Sequence, residues 1–235
     1  MSVNQDPLIE LRDISCSKDS TQYVFKDVNL VINEGDIIVL RGKSGSGKTT
    51  LLKCIAHLIL YGGDILYCGS PPSKYGIPFY RTRVLYVPQR PSLLPGSPQD
   101  FLLAVTSLDS HKKAQVTSDR FERIIDIGRG WGIEPHLWDR EWANLSGGES
   151  QRIALATAVG LGTAEIILLD EPTSALDSVS TAAVEKFITK EIHSIDSPLK
   201  AIVWITHSDE QGSRVGTRFI QIAAAGCSED AMPLV

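Results

Sequence analysis

The sequence predicts an α/β fold with a mainly parallel sheet and a helical lobe set apart from it. Three observations carry this. Ile37–Leu40, Ile166–Leu169 and Ala201–Ile205 are continuous apolar runs, the pattern of strands covered on both faces. Helix-like stretches, Thr50–Ala56 and Thr181–Ile192, follow or separate these runs, and strand–helix alternation favours parallel order. Between Arg90 and about Asn144 the texture changes: Pro88, Pro91, Pro95 and Pro98 punctuate the approach, and Phe121–Ile127 beyond them reads as helix.

Taken in order, Ile9, Leu11 and Ile14 alternate roughly with polar residues, as do Val28, Leu30 and Ile32, so both segments read as strands with one buried face. Asn33-Glu34-Gly35-Asp36 is a turn signal leading into the first buried strand. A glycine-rich loop and the Thr50–Ala56 helix follow, and Val84–Val87 reads as a further short strand. Trp131, Trp138 and Trp142 cluster before a second glycine pair and are read as lobe packing rather than a partner surface. There is no internal repeat, and from Gly226 onward no pattern is visible, so residues 226–235 are expected to form a loose tail.

Composition narrows the function. The chain has 235 residues, 43% hydrophobic and 22% charged, enough for one well-buried core. A net charge of −5 provides no basic field for nucleic acid, so no nucleic-acid partner is expected. No apolar run approaches the length of a bilayer span, and Met1–Pro7 lacks the apolar stretch of a secretory signal. Cys16, Cys54, Cys68 and Cys227 are scattered without a CxxC pair, which fits free thiols in a reducing cytosol.

Gly42-Lys43-Ser44-Gly45-Ser46-Gly47-Lys48-Thr49 fits G-x-x-x-x-G-K-[ST], between a strand and a helix as that motif requires. Glycines let the backbone curl so that successive N–H groups point at phosphate oxygens, and the following helix aims its positive end at the same place. Lys48 then reaches the β- and γ-phosphates, and the Thr49 hydroxyl ligates Mg²⁺. Taken alone, the segment could be a flexible Gly/Ser turn; the flanking strand and helix argue against that. Ile166–Leu169 ends in Asp170-Glu171. In a phosphate-loop fold the first acid holds Mg²⁺, usually through water, and the second leaves the strand in the opposite direction, toward the attacking water.

Leu145-Ser146-Gly147-Gly148-Glu149-Ser150-Gln151-Arg152 contains a capping box, Ser146 with Glu149, that starts a helix. Gly147 and Gly148 leave bare N–H groups at its positive end, a second anion site. With the acidic strand and Ser174-Ala175-Leu176-Asp177 downstream, the sequence from about Leu8 to Ile222 resembles the ATP-binding cassette (ABC) family. The resemblance implies a P-loop NTPase core with an antiparallel β subdomain and a helical lobe, the core at about 8–89 and 158–222 and the lobe at about 90–157. It implies ATP bound by Gly42 through Thr50 and, from a second copy, by Ser146, Gly147 and Gly148. It assigns catalysis to Glu171, His207, Gln89 and Lys48, the metal to Thr49, Gln89 and Asp170, and a dimer contact to Asp177. Glu149 stands where many members have Gln. Where the family usually stacks an aromatic on adenine, this chain has Lys18, with Tyr23 as a substitute.

The same resemblance implies head-to-tail pairing of two cassettes and a separate integral membrane transport subunit, the chain lying on the cytoplasmic face of the membrane. A helix of that subunit is expected in a groove lined by residues such as Leu93, Leu94 and Phe101. Over Gln89–Pro98 and Trp204–His207 the sequence is most similar to small stand-alone cassettes of the bacterial iron-export type. The alternative is a soluble ABC-type ATPase serving cofactor assembly or another non-transport process.

Overall fold

The structure, a computed structural model, describes residues 6–18, 22–90, 95–108, 118–224 and 226–230. It begins with β1 (Ile9–Ser17) and β2 (Tyr23–Ile32) and turns at Gly35 into β3 (Ile37–Arg41). The glycine loop leads to α1 (Lys48–Ile55), β4 (Gly62–Tyr67), α2 (Ile77–Arg83) and β5 (Val84–Val87). The lobe supplies α3 (Pro98–Ser107), α4 (Ser118–Gly130) and α5 (Gly147–Gly160). The chain then adds β6 (Ile166–Asp170), α6 (Ser178–Glu191), β7 (Ala201–Ile205), α7 (Asp209–Val215), β8 (Arg218–Ala223) and β9 (Gly226–Asp230). Among the described residues, no helix is long and apolar enough to cross a membrane.

Two sheets result. One is antiparallel, in the order β2-β1-β4; the other runs β5-β6-β7-β3-β8-β9, parallel as far as β8. The apolar runs at β3, β6 and β7 are buried throughout because each face of the sheet carries a separate core. The two-residue period sorts them. Ile38, Leu40, Ile166, Leu168 and Val203 face α1 and the antiparallel sheet. Ile37, Val39, Ile167, Leu169, Ile202 and Trp204 face the other way, into a core shared with α5, α6 and the lobe.

The helical lobe thus packs into one of the two cores of the sheet. Trp131, Trp138 and Trp142 are 4%, 2% and 3% exposed and belong to the same core as Val39 and Trp204. Residues 226–230 differ from expectation: they form β9, not a loose tail. Without it β8 would leave a row of edge N–H and C=O groups open. Instead Phe219 to Ala223 pair with Asp230 to Gly226, and Arg218 grips both carboxylate oxygens of Glu229 at 2.8 and 3.0 Å. The Gly-Cys-Ser-Glu-Asp stretch, half-buried at Gly226 and Cys227 and exposed beyond, has no alternation to betray this; its partner strand makes it a strand. Helix α6 starts at Ser178, three residues before the expected start, because the Asp177 side chain accepts from the Ser180 amide at 2.8 Å and caps it.

Helices α4 and α5 approach each other closely at Gly160. A methyl group on Gly160 would meet Ile124 Cγ1 at 2.5 Å and Ile124 Cα at 2.9 Å, backbone included, so the helices could not relax by a rotamer change alone. Gly160→Ala is therefore expected to lower unfolding stability by about 1–3 kcal/mol, read as a lower urea midpoint; an unchanged midpoint would show that this contact is not tight.

Candidate active site

Parallel β3, β5, β6 and β7 all end on one edge of the sheet, so the loops that follow them converge there. Brought together at that edge are the phosphate loop, Gln89, Asp170-Glu171 and Thr206-His207.

The loop after β3 depends on three glycines in the left-handed region, Gly42 (φ 148°), Gly45 (φ 78°) and Gly47 (φ 95°). A Cβ at Gly47 would strike Val24 and Phe25 of β2 at 2.7 and 2.8 Å, so the loop is seated on the antiparallel sheet. Lys48, 7% exposed, curls back so that Nζ donates to the carbonyls of Gly42 (2.8 Å) and Lys43 (3.2 Å). Ser46 Oγ is buried with no hydrogen-bond partner. An ammonium on loop carbonyls, an orphaned hydroxyl and the N-terminus of α1 form a donor set without a matching acceptor, which fits a phosphate chain. Lys43, Ser44 and Gly45 are exposed at the rim, and Thr50 is half-buried on α1.

Asp170, 4% exposed, is held at both oxygens. Thr49 Oγ1 donates to Oδ1 at 3.0 Å, and the Tyr86 hydroxyl donates to Oδ2 at 2.9 Å. Burial, with that bond to a carboxylate, pushes the Tyr86 phenol well above its ordinary range, so it stays a donor. Thr49, Asp170 and nearby Gln89 offer side-chain oxygens of the kind Mg²⁺ takes.

Glu171 lies one residue on, with φ 48°, rare for a residue with a side chain. Its amide donates to Ile205 O at 3.1 Å. Its Oε2 accepts from Gln89 Nε2 at 2.7 Å, and Oε1 is 2.9 Å from His207 Nε2. Glu171, Gln89 and His207, each expected from sequence to serve catalysis, thus meet at one carboxylate. Gln151, 2% exposed, carries no sequence signal of a site residue, yet it braces the group: Nε2 donates to the carbonyls of Gln89 (3.0 Å) and Glu171 (3.1 Å), and Oε1 accepts from the Ala175 amide at 3.0 Å.

Ser146 and Gly147 are exposed, and Gly148 is half-buried. Ser146 caps α5: its hydroxyl accepts from the Glu149 amide at 3.2 Å, and Glu149 Oε2 accepts from the Ser146 amide at 2.7 Å. Among the described residues, no hydrogen bond joins Ser146, Gly147 or Gly148 to Glu171 or the phosphate loop. Asp177, also exposed, spends its carboxylate on Ser180. Tyr23 is exposed with Lys26 Nζ 4.0 Å from its ring centroid, and Lys18 is exposed nearby in sequence. Leu93 and Leu94, expected to line a docking groove, lie outside the described residues; Phe101 is half-buried, edge-on to Trp142 at 6.2 Å.

The Glu149 carboxyl is held below its ordinary range first by the Ser146 amide, then by the Ser146 hydroxyl. A depressed folded-state pKa contributes stability that is present above the unfolded value and lost as pH falls through the folded value. Lowering the pH from about 7 to about 3 is therefore expected to loosen this cap. Glu149→Gln, which cannot titrate, should lose less melting temperature than the wild type over that interval; equal losses would place acid sensitivity elsewhere.

Comparison with known proteins adds the family context. A sequence profile described as "ABC transporter" matches residues 25–174. The phosphate import ATP-binding protein PstB of Tropheryma whipplei is 33% identical, over 94% of this chain and 87% of its own length. The energy-coupling factor transporter ATP-binding protein EcfA1 of Thermotoga maritima is 34% identical, over 80% and 68%. In fold the chain is similar to an ATP-binding subunit of an ABC transporter, with a TM-score of 0.80 at 22% identity, covering 96% of this chain and 90% of that one. It is also similar to an ATP-binding cassette solved as a dimer after hydrolysis with ADP and Pi, with a TM-score of 0.78 at 24% identity, covering 97% and 100%.

Proposed function

The chain belongs to the ABC transporter family, and from that premise we propose that it hydrolyses ATP between two head-to-tail copies to drive a separate membrane subunit. The observation that carries the catalytic part is the Glu171 carboxylate, held by Gln89 at 2.7 Å and His207 at 2.9 Å beside the Thr49–Asp170 pair. Lys48 leaves the loop carbonyls for the β- and γ-oxygens, which it neutralises. Glu171 orients the attacking water and accepts its proton, while Gln89 positions that water and His207 steadies the γ-phosphate. Thr49, Asp170 and Gln89 are the residues to hold Mg²⁺, whose charge offsets that developing on the transferred group.

Exposure of Ser146 and Gly147, with their amides at a positive helix end, supports their use by the ATP of a second copy. A two-fold pair of this kind completes two sites at once. Transport is supported by the relatives, one a phosphate import ATP-binding protein and the other an energy-coupling factor transporter ATP-binding protein. Contacts from the 89–101 segment to a polytopic membrane protein, by cross-linking in cells, are the expected result; contacts only to soluble assembly factors favour the cofactor-assembly reading.

Glu171→Gln keeps the shape of the side chain but cannot take a proton. ATP binding is expected to persist while turnover falls by about 10²–10⁴-fold, the scale of a general base. Steady-state ATPase assays that find near-normal turnover remove Glu171 from this role.

Lys48→Ala is expected to weaken ATP binding by the isolated chain, whereas Ser146→Arg should leave binding intact and block pairing. Mixing the two variants should restore part of the activity, because one composite site then keeps both wild-type halves. Loss of binding by Ser146→Arg as severe as that of Lys48→Ala rules out the shared site.

A further inference from the structure

We infer that Gln211 is a positioning residue for hydrolysis, fixing the loop that carries His207 against the loop that carries Glu171. The inference rests on the reading of Glu171 and His207 as the hydrolytic pair. Strands β6 and β7 end in register, Asp170 opposite Ile205, and the bond from the Glu171 amide to Ile205 O is the last rung between them. Beyond it the backbone at Glu171 turns away, and among the described residues no main-chain bond joins Thr206–Ser208 to Pro172–Ser174. His207 has a side chain 56% exposed, so packing does not hold it. A cavity of about 270 Å³, lined by Glu171, Ser174, Thr206 and His207 among others, leaves room for the imidazole to move.

Gln211 bridges this gap. It projects from α7, is 6% exposed, and uses both ends of its amide. Its Nε2 donates to Thr173 Oγ1 and Glu185 Oε1, each at 2.8 Å, and its Oε1 accepts from the Thr206 hydroxyl at 2.6 Å. Thr173 is two residues past Glu171, and Thr206 immediately precedes His207. The amide cannot be turned around. Glu185 is an acceptor only, so the NH₂ group must face it and the carbonyl must face Thr206. Glu185 is itself 7% exposed and gripped by Arg214, from Nε at 3.1 Å and Nη2 at 3.0 Å. A second tie closes the ring: Ser208 Oγ accepts from the Gln211 amide at 3.1 Å, and the Ser208 amide donates to Thr206 Oγ1 at 3.1 Å. The first turn of α7 therefore grips His207 from both sides and anchors it on α6.

Gln211→Met keeps length and volume while removing the side chain's three hydrogen bonds. Its kcat is expected to fall about 10-fold, inside the ~10²-fold that a misplacement of about 1 Å can cost. ATP affinity, measured by equilibrium binding of a fluorescent ATP analogue, should stay within about two-fold, because the residue does not touch the phosphate loop. Thr206→Val is a milder probe and should lower kcat in the same direction. Combined with Gln211→Met it should cost less than the sum of the two single losses, since both remove the Thr206–Gln211 bond. Wild-type kcat in Gln211→Met, a matching loss of affinity, or additive losses in the double variant would each overturn the inference. If Gln211→Met does not fold, Thr206→Val decides by the same split between kcat and affinity. Glu171→Gln run alongside separates the layers. An inactive Glu171→Gln with a fully active Gln211→Met removes only Gln211, and an active Glu171→Gln removes the reading beneath it.

Discussion

The in-register parallel ladder of β6, β7 and β3 is the constraint on which the rest depends. These three strands are buried along almost their whole length, so their amides and carbonyls have no water to turn to and must pair with one another. Pairing fixes Asp170 beside Ile205 and Ile205 beside Leu40. Three loops therefore start from places known to a fraction of a residue: the phosphate loop after Arg41, the acidic pair after Leu169, and the histidine loop after Ile205. A slip of one residue in any strand would turn each apolar side chain to the wrong core and move a functional group by a residue's length.

What happens past the strand ends is a matter of side chains. Asp170 accepts one bond at each oxygen, from Thr49 and Tyr86, and Glu171 meets Gln89 and His207 in the same way. Both acids are approached from different loops, so each doubles as a junction: Thr49–Asp170 ties the phosphate loop to β6, and Gln89 ties the entry to the lobe to Glu171. Gln151 adds a third tie from α5, the helix whose N-terminus carries Ser146. The exposed end of that helix is thus coupled through one buried amide to the backbone carbonyls of Gln89 and Glu171. Any shift of the α5 N-terminus is thereby passed to the backbone at Glu171.

Much of this was legible in the sequence where chemistry demands a residue type at a fixed spacing. The phosphate loop was readable because only glycine tolerates the backbone at Gly42, Gly45 and Gly47. The acids were readable because a buried strand that ends in two carboxylates, downstream of a phosphate loop, delivers them to the edge from which that loop also starts. Gln151, Tyr86 and Gln211 were not readable as site residues. A glutamine within a helix, or a tyrosine within a strand, gives no sign of which way it faces, and its role is set by the elements packed against it. The only local hint is a polar residue at a buried helical position, as Gln151 and Gln211 are. The β9 pairing was hidden for a related reason, since the partner edge and not the Gly226–Asp230 composition creates that strand.

The backbone at Glu171 shows how local strain is accommodated. A non-glycine residue at φ 48° costs about 1–2 kcal/mol. Such a conformation persists only where its surroundings over-determine it. Here its amide is bound to Ile205 O, its carbonyl accepts from Gln151 Nε2 and from the Ser174 amide, and its carboxylate is held at both oxygens. Every polar atom of the residue has a partner, and relaxing the torsion would break several of them at once. The turn gains what a relaxed strand end would lose. An extended residue at 171 would continue along β6, whereas the left-handed one redirects the chain into Pro172–Ser174 with its carboxylate between Gln89 and His207. Strain at this one torsion therefore separates an acid bound to Thr49 and Tyr86 from an acid bound to Gln89 and His207, one residue apart.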